Sequence, residues 1–212
     1  MTFSHPKTLA LMLGLFGLLL LVPSSHAEEV LATAKFDSDG IATWQVVRDE
    51  RNRDAEFNFT LDPENPAVGV MNYTFQLGDD GSPIEGAREI KNLQFLKEVN
   101  LTAGSEAFLR AHLRCSKNGR QVRFVILDAT GQKFVTEPQR VPTVAADLLF
   151  SLNKFSSKSG GAGGEQIAWP VRSIAFQSVW WGGPATEPPE RLWIEKIELV
   201  KGNSTSNTTK PQ

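Results

Sequence analysis

Two sets of residues in this chain have types and spacing suited to holding a ligand. The first is Trp180-Trp181, followed by Gly182-Gly183-Pro184. Adjacent strand residues point to opposite faces, so one indole packs inward while the other is presented beside a turn. Taking Ile174 and Phe176 as inward-facing places Trp180 inside and Trp181 outside, with Gln177 on the Trp181 face. The second set is Phe108, Arg110, His112 and Arg114, which alternate with Leu109, Ala111, Leu113 and Cys115; Gln121 and Arg123 have the same disposition on the next strand. An exposed indole stacks on the apolar face of a sugar ring, and planar guanidinium and amide groups reach hydroxyls or carboxylates. If these two strands pair, the cluster suits an acidic or hydroxyl-rich glycan. The alternatives are a solvated outer sheet face for the arginines and, for Trp181, a ring covered by the neighbouring loop.

Catalytic chemistry is poorly provided for. Of the three His, two lie before residue 27, so His112 stands alone and a multi-His metal site is excluded. A lyase needs a base and an acid, and only Tyr73 and His112 are of the usual types. Tyr73 is in phase with Met71 and Phe75, which points it to the core and away from the His112 face. No Gly-x-Ser-x-Gly elbow or phosphate loop occurs, and no carboxylate pair is marked out for glycoside hydrolysis. The single cysteine, Cys115, rules out a disulfide framework and reads as a small buried hydrophobe. With a formal net charge of −2 and scattered Lys and Arg, nothing points to a nucleic-acid partner.

The elements that must position these residues are strands. Residues 1–27 read as a signal peptide: Lys7, an apolar run from Leu9 to Val22, and small residues in Ser25-His26-Ala27. The expected product is secreted, or periplasmic and cell-envelope located, with no membrane insertion after cleavage. From there on, apolar and polar residues alternate with period two. Strands are expected at Val30–Phe36, Ala55–Leu61, Val70–Leu77, Ile90–Val99, Ala107–Cys115, Gln121–Asp128, Lys133–Thr136, Asp147–Leu152, Ser173–Trp180 and Arg191–Val200. Turn signals separate them, among them Asp62-Pro63-Glu64-Asn65-Pro66 and Lys117-Asn118-Gly119. The pattern predicts an all-β chain, a two-sheet antiparallel β-sandwich or jelly roll, with one domain over residues 28–201. The Gly-rich stretch Leu152–Gln166 is expected to be a mobile loop, and residues 202–212 a disordered tail. Asn-x-Ser/Thr triplets occur at Asn58, Asn72, Asn100, Asn203 and Asn207; they are acceptors only in a glycosylating host.

Several short patterns occur in a telling order: Phe36-Asp37-Ser38-Asp39 with Trp44, then Leu127-Asp128-Ala129-Thr130-Gly131-Gln132, then Gly160-Gly161-Ala162-Gly163-Gly164, Trp169-Pro170, and the closing Leu192-Trp193-Ile194-Glu195-Lys196-Ile197-Glu198-Leu199. This series resembles the galactose-binding-like, carbohydrate-binding β-sandwich domains appended to secreted glycoside hydrolases. The resemblance implies a non-catalytic module for a polysaccharide or glycan, working in some settings beside a separate glycoside hydrolase. It implies structural roles for Trp44, Trp169 and Trp193. It also implies a structural Ca²⁺ held by Asp37, Asp39 and Glu195, although Lys196 stands where such domains often carry a second Asp. The competing readings are a structural or protein-interaction sandwich of the cell envelope and a jelly-roll polysaccharide lyase.

Overall fold

The computed structural model describes residues 28–48, 56–74, 87–102, 105–117, 120–179 and 189–202. Alternation makes the strands, as β6 (Ala107–Cys115) shows: every odd-numbered residue is buried and every even-numbered one is half-buried. One face therefore joins a core and the other meets the outside. Two antiparallel sheets result. In the first, the order is β10 (Ala146–Ser151), β6, β13 (Glu190–Lys201), β4 (Gly69–Tyr73), β3 (Phe57–Leu61), with β1 (Glu29–Ala34) beside the second half of β13. In the second it is β11 (Phe155–Ser159), β8 (Lys133–Thr136), β7 (Gln121–Leu127), β12 (Ser173–Val179), β5 (Ala87–Asn92), β2 (Trp44–Val47), with β9 (Gln139–Arg140) beside β7.

The core lies between the sheets. Leu109, Leu113, Ile194, Ile197 and Leu199 face Ile90, Phe124, Ile126, Phe134 and Phe176, all fully or almost fully buried. Phe124 meets Phe150 of the first sheet edge-on at 5.0 Å and Phe176 at 5.2 Å. Each such side chain contributes about 1.5–3 kcal/mol by leaving water, so the sheets hold together without covalent links. Trp44 is buried and stacks on Phe36 at 5.9 Å, the structural role expected for it.

Three strands and a helical turn were hidden from the alternation: β2, β9, β11 and α1 (Ser38–Ala42). In α1 the Asp37 side chain caps the first turn by accepting from Gly40 N at 2.8 Å. The strand β11 corrects the reading of Leu152–Gln166 as a mobile loop. It pairs with β8, and Phe155 packs on Phe134 at 4.8 Å. The glycines after it serve close approach. At Gly161 (φ 60°) a Cβ would lie 2.4 Å from Gln132 N, and Gln132 Nε2 donates to Gly164 O at 2.8 Å. Gln132 itself is fixed by the turn before it. There the buried Asp128 accepts from Thr130 N, Thr130 Oγ1 and Gln132 N through Oδ1, and from Ala168 N through Oδ2, at 2.8–3.1 Å. One carboxylate thus ties the β7–β8 turn to the segment that leads into β12.

Among the described residues, no helix is long and apolar enough to cross a membrane. Residues 1–27 and 203–212 lie outside the described residues.

Candidate functional face and cleft

The two strands carrying the expected ligand residues do not pair. Strand β6 hydrogen-bonds to β10 and β13, and β7 to β8, β9 and β12. Arg110, His112 and Arg114 therefore sit on the outer face of the first sheet, and Arg123 and Gln177 on the outer face of the second. The single cluster expected from the sequence becomes two sites with the core between them. Each residue has the in–out phase that alternation gave it; the error lay in the neighbour, which sequence distance did not reveal.

On the second sheet, four strands place Val47, Glu89, Gln177 and Arg123 in one row. The Arg123 Nε donates to Gln177 Oε1 at 2.8 Å, and Gln177 Nε2 donates to Glu89 Oε2. Both ends of the amide are thereby fixed, and the guanidinium and carboxylate on either side keep further donors and acceptors. Burial pulls the Arg123 guanidinium below its ordinary range, with Glu89 opposing the shift. In the adjoining rows Ala175, Val125 and Val135 form a small apolar cluster separate from the main core. On the central strand β12 the outward Ser173, Ala175, Gln177 and Val179 are all buried, and the longer Glu89, Lys91, Gln121 and Arg123 of the flanking strands are half-buried. Trp181, which the sequence puts in phase with Gln177 and Val179, lies outside the described residues.

On the first sheet the expected residues divide by their partners. Arg110 Nε and Nη2 donate to Glu198 Oε2 at 2.9 and 2.7 Å, and Nη1 donates to Glu28. These carboxylates outweigh the cost of burial and raise the guanidinium above its ordinary range. His112 is held between Asp147 (2.8 Å) and Glu195 (3.4 Å). Arg114 instead lies over the Trp193 ring, 3.8 Å from its centroid. Trp193, expected to fill the core or seal an edge, is half-buried on the outer face. Its flanking Leu192 and Ile194 are fully buried, and that alternation was the signal for an outward indole. It lines a cleft of about 480 Å³ with Glu56, Asn58, Asn72, Ser116 and Arg191.

The expected calcium ligands are not gathered into one set. The Asp37 carboxylate caps α1, Asp39 lies in the first turn of that helix, and Glu195 faces His112. Among the described residues, no group of three His, Cys, Asp or Glu could hold a metal ion. Nor do Tyr73 and His112 share a cleft. Tyr73 is fully buried, with its hydroxyl 2.8 Å from Ser178 Oγ, and burial pushes its phenol well above the ordinary range. Cys115 is buried as expected. Its Sγ donates to Lys117 O at 2.7 Å, and burial raises its thiol.

No family model matches the sequence, and no curated protein matches it. Solved structures do share the architecture. The family 11 carbohydrate-binding module of the cellulosomal cellulase Lic26A-Cel5E of Clostridium thermocellum aligns with a TM-score of 0.52 at 10% identity, covering 85% of this chain and 98% of that one. What the two share is the fold, a two-sheet antiparallel β-sandwich. The family 11 module from the same organism in complex with a β-1,3-1,4-mixed-linked tetrasaccharide also gives a TM-score of 0.52, at 8% identity over 80% of this chain and 96% of that one. The described residues thus share the two-sheet β-sandwich fold of these modules, and any ligand must be argued from this chain's own side chains.

Proposed function

We propose that the chain is a non-catalytic glycan-binding module that holds a polysaccharide on the outer face of its second sheet. The observation that carries this is the row Glu89–Gln177–Arg123, a polar ladder beside an apolar floor. Saccharides offer hydroxyls that both donate and accept, and apolar ring faces. A guanidinium and a carboxylate, held in place by the buried amide between them, meet the hydroxyls without the entropy cost of ordering loose side chains. Trp181, by its phase, supplies the stacking ring. Binding and orientation are the roles proposed for these residues, and Tyr73, buried against Ser178, does not form an acid–base pair with His112. Export by the N-terminal segment would bring the module to polysaccharide outside the cell, where a separate glycoside hydrolase is a natural companion.

The test is a glycan-array screen of the mature protein, followed by calorimetry on the best ligand. Arg123→Ala and Trp181→Ala are expected to weaken binding by about tenfold or more, the loss of roughly 1.4 kcal/mol each, with the circular dichroism spectrum retained. A wild-type protein that binds no glycan, or variants that bind as well as wild type, would overturn the proposal.

A further inference from the structure

The cleft around Trp193 lies across the core from the Glu89–Gln177–Arg123 row, and its chemistry differs. Along β13 the outward residues Arg191 and Trp193 are two apart, and Arg114 of β6 stands opposite Trp193. Arg114 and Arg191 are therefore diagonal neighbours on one sheet face, about 7–8 Å apart at their bases, a gap that two long side chains close around one anionic group. The Arg114 Cζ lies over the indole, 3.8 Å from its centroid, and among the described residues the guanidinium N–H groups have no carboxylate partner, so they are available to a ligand.

The pairing of charges singles out the same spot. On this face Arg110 is bonded to Glu198 and Glu28, and Lys196 pairs with Glu198 at 3.2 Å. Among the described residues neither Arg114 nor Arg191 has a carboxylate partner. Glu56, the one acid in the cleft, forms no ion pair among the described residues either. It stands at the β3 side of the cleft, away from Arg114 on β6.

The rest of the cleft suits sugar hydroxyls. Asn72 Nδ2 donates to Asn58 Oδ1 at 3.2 Å, leaving an amide donor and an amide acceptor. Ser116 Oγ accepts from Arg191 N at 3.0 Å, which joins the ends of β6 and β13 beneath the arginine. The volume of about 480 Å³ lies within the range of small-ligand sites.

We propose that this cleft is a second saccharide site, selective for an anionic sugar. The ring packs on the exposed part of Trp193, and its acidic group, a uronate carboxylate or a sulfate ester, is held by Arg114 and Arg191. This claim stands apart from the reading of the second sheet, because it names other residues on the opposite face.

Calorimetry with three oligosaccharides tests it: an oligogalacturonate, a sulfated galactan oligomer and an uncharged galactan oligomer. The protein is the full mature chain, as wild type, Arg191→Gln, Trp193→Ala and Glu89→Ala. One of the two anionic ligands is expected to bind, and which one does identifies the acidic group. Its affinity should fall as salt is raised, and Arg191→Gln should weaken it about tenfold through loss of a charge-assisted contact. Glu89→Ala should leave it unchanged. Arg191 is exposed, so its replacement tests the cleft even if Trp193→Ala fails to fold. No binding of either anionic ligand, equal affinity for the uncharged one, or loss on Glu89→Ala but not on Arg191→Gln overturns the proposal.

Discussion

At the scale of single residues, Asp128 shows how one side chain can hold several elements. It is almost fully buried, which alone would raise its carboxyl. Hydrogen bonds from Thr130, Ala168 and Gln132 more than offset this and hold it below the ordinary range. The folded value is thus lower than the unfolded one, near ~3.9. Its contribution to stability is complete above the unfolded value and lost as pH falls through the folded one. Asp128→Asn turns one acceptor into a donor facing the Ala168 or Thr130 N–H, and is expected to cost about 1–3 kcal/mol at neutral pH. Urea melts should show that difference shrinking in acid; an unchanged gap at low pH would mean the carboxylate charge is irrelevant. The sequence placed Asp128 at the end of a strand and made the stretch Leu127–Gln132 part of the resemblance. It did not reveal that the second oxygen reaches Ala168, because that contact depends on how a distant segment returns.

At the scale of elements, the strands were legible and their neighbours were not. Period two gave β6 both its limits and its faces, since each buried residue there is apolar. Its position between β10 and β13 depends on chain far away, and so the arginines of β6 and β7, consecutive strands in the sequence, lie on opposite faces. The glycines mislead for a related reason. A polar, Gly-rich stretch reads as loose chain, yet the structure uses Gly161 for a left-handed turn pressed against Gln132. A matched pair of substitutions separates these uses. Gly163→Ala meets nothing within 4 Å and carries only the positive-φ strain at 75°, about 1 kcal/mol. Gly161→Ala adds the clash with the Gln132 backbone, and should cost clearly more, about 2–4 kcal/mol. Thermal melts of the two variants would decide it, and equal losses would mean the close approach is easily relaxed.

At the scale of the molecule, the two proposed ligand faces with one core between them predict independence. The sheets of a sandwich stand ~10 Å apart, and the intervening Phe124, Phe150 and Phe176 pack as fixed, interlocking rings. Sites so separated, with no shared side chain, add rather than couple. The row Glu89–Gln177–Arg123 and the cleft of Trp193 and Arg191, with Arg114 over the indole, should therefore fill at once. Titrating the anionic oligosaccharide into protein already saturated with the glycan found to bind the second sheet should return the same affinity within about twofold, with one further equivalent bound. Competition, with the second ligand displaced or its apparent affinity lowered in proportion to the first, would mean one shared site and would remove the distinction between the faces. Independent filling would let a single chain lie against one polysaccharide with one sheet and against an acidic one with the other. Such a device links two kinds of chain in a mixed matrix without any change of shape.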